Sequence, residues 1–288
     1  MHLSVLILTY NEAANIERCV EALRSAEQAE CHLDLVILDS GSTDETTRIA
    51  ERLGVPVYTR AFDTFASQRN WGMASIPWQS DWVLHLDADE RVTVSLMAEI
   101  ATVLQEPSFD AYLISSKLMF MDRWIKRSSM FPRYQARLLK RGTVVFSQQG
   151  HGQHVDPLRY RLGILQESYE HYNFSKGISD WVEKHNRYST DEARASLSPS
   201  DLQSGGEPAS EAAKLAARQR RLKEIGKRLP FRPFFRFAYL YIWRLGFLDG
   251  IAGFHYCVLM GVYQYLIDLK AKELRHSRVR VQSYSQSG

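Results

Sequence analysis

Three short polar clusters carry carboxylates and hydroxyls directly behind apolar runs: Thr9-Tyr10-Asn11-Glu12, Asp39-Ser40-Gly41-Ser42-Thr43-Asp44 and Asp87-Ala88-Asp89-Glu90. Asp39 can accept hydrogen bonds from a nucleobase or ribose edge, and Gly41 permits close backbone approach. The second cluster leads into a helix N-terminus, where an anion is favoured. Asp87 and Asp89 stand two apart, so extended backbone puts them on one face, whereas a tight turn fans them around one ion. Hard oxygen ligands of this kind suit Mg²⁺ or Mn²⁺ bridging a diphosphate. Gln68 and Arg69, on an intervening helix, can reach the phosphates. Each cluster has a plainer reading on its own: a turn with a helix cap, or solvated loop charge. The argument for chemistry is that all three follow successive buried strands.

Those strands must position the clusters. Leu3–Leu8, Leu33–Leu38, Val55–Tyr58 and Trp82–Leu86 are short apolar runs that read as strands buried on both faces. Helical spacing separates them. Ile16, Cys19, Val20 and Leu23 follow Asn15 as N-cap, a Ser42/Glu45 capping box opens a helix through Ile49 and Leu53, and Phe65–Ala74 forms a third. Thr93 caps a fourth, with Leu96, Met97, Ile100 and Leu104 on one face. Such alternation predicts an α/β fold with a parallel, helix-flanked sheet. Ligands of such sheets bind at the strands' carboxyl ends, where the clusters fall. Further strands are predicted at Ala111–Ile114, Ala136–Leu139 and Thr143–Phe146, and a helix at Ile178–Ala195.

The stretches Val5–Glu12, Ile37–Asp44, Leu86–Glu90 and Gln68-Arg69-Asn70-Trp71-Gly72 closely resemble the motifs of family 2 glycosyltransferases, strongly so over residues 3 to 110. The likeness is closest to the branch that includes lipopolysaccharide-core and cell-envelope sugar transferases. It implies a GT-A fold, Rossmann-like and mostly parallel. It also implies an inverting transferase that uses a nucleoside-diphosphate sugar and a divalent metal. On this resemblance Thr9, Asn11, Glu12, Asp39 and Asp44 map to the nucleotide pocket, Asp87 to ribose or a metal-bound water, and Asp89 to the metal.

A base must take the acceptor's proton. In the similar envelope enzymes a His-Glu pair follows an Arg-Leu…Arg-Gly hairpin, which Arg137-Leu138-Leu139-Lys140-Arg141-Gly142 and Phe146 match. His151 falls at the His position, but Gly152 replaces the Glu. The candidate bases are therefore His154, His151 and Asp156, with Glu167 more distant. His has an intrinsic pKa of about 6.5, near working pH. The same histidines could instead belong to an acceptor-binding loop without chemistry. His171 is a further metal or acceptor contact, or a structural residue at a strand end.

Composition limits the alternatives. A net charge of +3 over 288 residues is too small to imply nucleic-acid binding. Cys19, Cys31 and Cys257 form neither a disulfide framework nor a zinc spacing, and the N-terminus does not read as a signal peptide. Ser196–Ser200 and Ser204–Pro208 read as a linker. Beyond it nine Lys or Arg between Lys214 and Arg236 face one acid, Glu224, and aromatic residues from Phe231 to Trp243 follow. Basic charge beside an aromatic, amphipathic segment predicts a helix lying in an anionic membrane interface. Gly250–Ile267 just reaches the lower length limit for a span, but Asp249 and Asp268 bracket it closely.

The sequence therefore predicts a GT-A domain at 1–195, a linker at 196–210, a basic and aromatic helical membrane-associating segment at 211–276, and a disordered tail at 277–288. The expected partners are a nucleoside-diphosphate sugar, a glycan or lipid-linked acceptor and a membrane surface, not nucleic acid. The expected location is the inner face of the cell membrane. Transfer to polyprenyl phosphate is the alternative reaction, and a non-catalytic nucleotide-sugar-binding scaffold the alternative class.

Overall fold

The computed structural model describes residues 2–27, 31–149, 152–197 and 231–285, with side chains described to 276. They fall into two compact units, 2–124 with 131–175, and 125–130 with 176–197 and 231–285.

The first unit alternates as its apolar runs require. In order come β1 (His2–Thr9), α1 (Ile16–Ser25), β2 (His32–Asp39), α2 (Thr46–Arg52), β3 (Val57–Thr59), α3 (Phe65–Ser75), β4 (Trp82–Asp87), β5 (Glu90–Arg91) and α4 (Val94–Val103). The chain continues through β6 (Ala111–Phe120), β7 (Arg123–Trp124), β8 (Tyr134–Lys140), β9 (Ser147–Gln149), β10 (Gly152–His154) and β11 (Leu162–His171). The main sheet runs β3-β2-β1-β4-β8-β6-β11-β5, with β7 on β6. β3-β2-β1-β4 form the expected parallel half. β8 then pairs antiparallel to both β4 and β6, and β11 lies parallel to β6, so the sheet as a whole is mixed.

Both faces are covered, which is why β1 is a continuous apolar run. Leu3, Val5 and Ile7 pack with α1 and α4 on one side, and Leu6 and Leu8 with α3 on the other. Gly72 allows the second approach, since a Cβ there would lie 2.6 Å from Leu6 Cδ2. Thr93 caps α4 as expected, its hydroxyl accepting from Leu96 N at 3.2 Å.

Four local expectations are corrected. Asn15 precedes α1 without capping it: its backbone is already in the αR region (φ −119°, ψ −34°), and its Nδ2 donates back to Glu12 Oε2 at 2.7 Å. The Ser42/Glu45 capping box does not form. Ser42 is spent on Asp39, α2 begins at Thr46, and Asp44 Oδ1 accepts from Thr46 N at 3.0 Å. Thr143–Phe146 is a loop rather than a strand. Asn70 donates to Phe146 O at 2.8 Å and accepts from Phe146 N at 2.9 Å, taking the backbone groups a ladder would need.

The fourth correction concerns the second unit, which holds α5 (Gly177–Leu197), α6 (Arg232–Ala238), a π-helical turn at Tyr239–Trp243, a 3-10 turn at Gly246–Asp249 and α7 (Gly250–Ser285). The backbone of α7 continues to Ser285 where a disordered tail was expected from 277, because no glycine or proline interrupts 262–287. α5 groups with this unit and not with the domain expected at 1–195. Lys270 Nζ donates to Asn186 Oδ1 (2.7 Å), Ser189 Oγ (2.8 Å) and Thr190 Oγ1 (2.8 Å), and the His185 and Tyr263 rings meet at 4.9 Å. Asp249 Oδ2 anchors the segment 125–130, accepting from Arg127 N (2.9 Å), Ser128 N (2.7 Å) and Ser128 Oγ (2.6 Å). Gly246 has no room for a side chain, since a Cβ would fall 2.6 Å from Leu240 O. Apart from the last residues of α5, the expected linker and the basic stretch to 230 lie outside the described residues, as does His151.

Candidate active site

The strand order brings the three polar clusters together. Thr9 is in register with Asp39 across β1 and β2, and Leu8 with Asp87 across β1 and β4. The clusters thus leave adjacent strands at one edge of the parallel half, the usual position for a ligand crevice.

The first two clusters form one interlocked cradle. Asp39 Oδ1 accepts from Thr9 Oγ1 (2.8 Å) and Ser42 Oγ (2.5 Å), and Oδ2 from Gly41 N (2.8 Å) and Ser42 N (2.7 Å). Those four bonds fill the four acceptor sites of a carboxylate. Asp39 therefore shapes its own loop, and Gly41 supplies the turn at φ +87°. Asn11 is held at φ 54°, its Oδ1 accepting from Thr43 N at 2.8 Å while its own N–H donates to Ser42 Oγ at 2.8 Å. Glu12 N donates to Thr46 Oγ1 (2.7 Å) and Ala13 N to Asp44 Oδ2 (3.1 Å), tying the loop after β1 to the start of α2. Gln68, fully buried, donates to Ser40 Oγ (2.9 Å) and Arg60 O (3.0 Å) and accepts from Arg60 Nη1.

The third cluster sits in a buried charge network that periodicity alone did not reveal. Asp87 is clamped by two arginines: Oδ1 accepts from Arg69 Nη2 at 2.6 Å and Oδ2 from Arg137 Nη2 at 3.0 Å. Arg69 enters from α3 and Arg137 from β8, both buried. Arg137 Nη2 also donates to Glu90, whose Oε2 accepts from Asp87 N at 2.9 Å, and Arg137 Nε reaches Tyr169 Oη at 3.3 Å. Burial works to raise the Asp87 pKa, but Arg69 and Arg137 outweigh it and hold the carboxyl below the ordinary range. His85, two residues earlier on β4, is buried with neither ring nitrogen hydrogen-bonded. Burial first, then the two arginines, keep it neutral.

Asp89 is separate from this clamp. Its Oδ2 lies 3.4 Å from His171 Nε2, and its carbonyl accepts from Tyr172 N at 2.8 Å. Burial lowers the His171 pKa, yet Asp89, with Glu90 and Asp87 behind it, raises it overall. β11 delivers His171 opposite Glu90 of β5. One carboxylate from the turn after β4 and one imidazole from the end of β11 form a donor pair that would suit a borderline-hard divalent cation. Asp87, the other expected metal ligand, accepts one arginine N–H on each oxygen. Among the described residues no group of three or more His, Cys, Asp or Glu forms a self-sufficient metal cage.

Of the expected bases, His151 lies outside the described residues. Asp156 Oδ1 accepts from Leu158 N at 2.9 Å, capping its own turn. His154 ends β10, whose hairpin with β9 packs on α3. Glu167 Oε2 accepts from Ser95 Oγ at 2.9 Å on the surface.

Glu90 gives this network a measurable signature. Burial, reinforced by Asp87 and opposed by Arg137, pushes its pKa up to about 7 from the ordinary 4.5. The folded chain thus binds this proton more tightly than the unfolded chain. Its contribution to stability is complete below pH 4.5 and is lost as pH rises through about 7. Glu90→Gln should flatten the fall in melting temperature over that window. Its stability at alkaline pH should accordingly change less with pH than that of the wild type. Parallel melting curves against pH would show instead that Arg137 keeps Glu90 ionised throughout.

The sequence model described as Glycosyl transferase family 2 matches residues 4–162. A glycosyltransferase of Rickettsia bellii is 29% identical over 203 residues, 67% of this chain and 66% of its own. One of Rickettsia felis is 28% identical over 203 residues, 67% and 69% of the two chains. The chain thus spans about two thirds of the length of these relatives. Among solved structures, Staphylococcus aureus TarS 1-349 in complex with UDP-GlcNAc superposes with a TM-score of 0.50 at 14% identity, over 96% of this chain and 92% of that one, a likeness of fold.

Proposed function

The chain belongs to glycosyl transferase family 2, and we propose from that premise that it transfers a sugar, with inversion, from a nucleoside-diphosphate donor to a lipopolysaccharide, polysaccharide or lipid-linked acceptor at the inner face of the cell membrane. The observation that supports this reading is the cradle of Thr9, Asn11, Asp39 and Asp44 at the ends of β1 and β2, with Asp89 following the adjacent β4 and meeting His171 from the end of β11.

In this reading the cradle orients the nucleotide, with Asn11, Glu12 and the α2 N-terminus presenting polar groups to it. Asp39 and Gln68 act by fixing loop shape. Asp89 and His171 would hold Mg²⁺ or Mn²⁺, which when bound neutralises the departing diphosphate. Asp87, pinned by Arg69 and Arg137, holds the turn that aims Asp89 and offers a negative surface to ribose or a metal-bound water. An acceptor hydroxyl attacks the anomeric carbon, the bond to the diphosphate breaks, and a base takes the hydroxyl proton. That role falls to the segment 151–156, with His154, His151 and Asp156 as candidates.

Asp156 already caps a turn, and this favours a second reading in which the acceptor is a polyprenyl phosphate. An ionised phosphate attacks without a base.

The test is calorimetric titration of the full chain with UDP, GDP and CDP, each with and without Mn²⁺. Binding of one nucleotide that requires the metal is the expected result. No binding of any nucleotide with metal present would sink the transfer reading.

A further inference from the structure

We propose that the C-terminal unit docks in one leaflet of an anionic membrane through the outward face of α7, lying along the surface without crossing it. The inference deepens the membrane-associated reading above and rests on it, but not on the transfer chemistry.

A helix at a protein surface ordinarily turns polar residues to water. On α7 the outward face is Ile251, Phe254, Val258, Val262, Tyr265 and Leu269, all exposed and spaced by three or four. They form a straight apolar stripe of about 27 Å at 1.5 Å per residue. Trp243 (80% exposed) and Phe234 (67% exposed) add aromatic side chains of the kind that settle at headgroup depth. Monomers in water rarely expose so long an apolar surface.

Charge selects the occupant. Nine Lys or Arg against one Glu occupy 214–236, and Lys272 and Arg275 follow the stripe. Anionic headgroups complement that pattern. A second copy carries the same excess of cations in its own sequence and offers no such complement.

Packing within the unit selects the orientation. Gly246–His276 is, among the described residues, the one helix long and apolar enough to cross a membrane. Its far half is bound to α5 through His185–Tyr263 and the three side-chain oxygens around Lys270. α5 carries the exposed pair Glu183–Arg187 and the pair Asp180–Lys184. If α7 crossed the bilayer, α5 would carry these charges into hydrocarbon, where they are strongly disfavoured. With α7 lying flat, the stripe is buried in the acyl boundary and α5 remains in water.

The experiment uses the full chain with vesicles of phosphatidylcholine, alone or with roughly 30 mol% phosphatidylglycerol. The natural cysteines are buried, so Glu183→Cys provides a single reactive site for a membrane-impermeant maleimide. The expected result is co-sedimentation with the anionic vesicles at least about tenfold tighter than with the neutral ones. Glu183→Cys should stay fully labelled on the vesicles, and alkaline carbonate should release the protein. Val258→Glu/Val262→Glu should lose vesicle binding by at least about tenfold while binding nucleotide as the wild type does. Shielding of Glu183→Cys with resistance to carbonate would overturn the proposal in favour of a span. Equal binding to both vesicle types would overturn the anionic preference. Absence of vesicle binding, with a dimer that Val258→Glu/Val262→Glu dissociates, would assign the stripe to a second copy. In the wild type, absence of vesicle binding with nucleotide binding present counts against docking alone, and absence of nucleotide binding with vesicle binding present counts against the transfer reading alone.

Discussion

Asp89→Ala is expected to lower sugar transfer by about three orders of magnitude or more. A group that stabilises charge developing on the leaving oxygen is worth about 10²–10³ by itself, and Asp89 is also the anionic half of the donor pair with His171. Loss of the carboxylate leaves an imidazole alone to hold a dication, so metal dependence should move to much higher Mn²⁺ concentration. The bonds that Arg69 and Arg137 make to Asp87 and Glu90 are untouched, so the loss of stability should be confined to the pair with His171. His171→Ala should lose less rate, since it removes the neutral member of the pair. Its remaining activity should no longer fall as His171 is protonated at low pH. Steady-state transfer of labelled sugar across a Mn²⁺ series, beside thermal melts of the same samples, checks both variants. Asp89→Ala retaining wild-type kcat at saturating donor would remove this residue from the reaction.

The parallel half of the sheet and its polar loop ends could be read from the sequence because each signal is local. Apolar runs of five or six residues closed by Thr9, Asp39 and Asp87 describe buried strands with polar ends, and the pairing of β2, β1 and β4 brings those ends together. The direction of β8 was not legible, since Ala136–Leu139 reads equally well in either orientation. Nor was the identity of the group that neutralises Asp87. Arg137 interrupts an apolar strand, and a charge on a buried strand requires a partner. That was the available signal, but its partners Glu90 and Tyr169 lie 47 and 32 residues away. Asp39 shows the converse case. Its position after β2 marked it correctly as a loop-end residue, yet all four of its acceptor sites turn inward to the loop. The pairing of α5 with α7 depends on contacts such as Lys270 with Asn186, more than eighty residues apart, which no local pattern encodes.

The largest expected effect on stability comes from Arg137→Met. The substitution keeps most of the apolar stem and removes the guanidinium that binds Asp87, Glu90 and Tyr169 together. Removing one partner from a buried ion pair typically costs about 3–5 kcal/mol, because the remaining charge is left uncompensated. Here the cost should depend on pH. Glu90 can escape by taking up a proton, and without Arg137 the force opposing its raised pKa is gone, so it should stay protonated to higher pH than in the wild type. Asp87 keeps Arg69 and has no comparable escape. The variant should therefore lose most at alkaline pH and least near pH 5, roughly, with the difference following Glu90 ionisation. Adding Glu90→Gln to Arg137→Met should recover part of the loss at high pH and little at low pH, a non-additivity that a double-mutant cycle reads directly. Because Asp87 aims the turn carrying Asp89, kcat should fall in Arg137→Met even at temperatures where it is fully folded. A loss of stability independent of pH, with additive behaviour in the cycle, would mean that Arg137 is only filling space and that the network around Asp87 does not act as a unit.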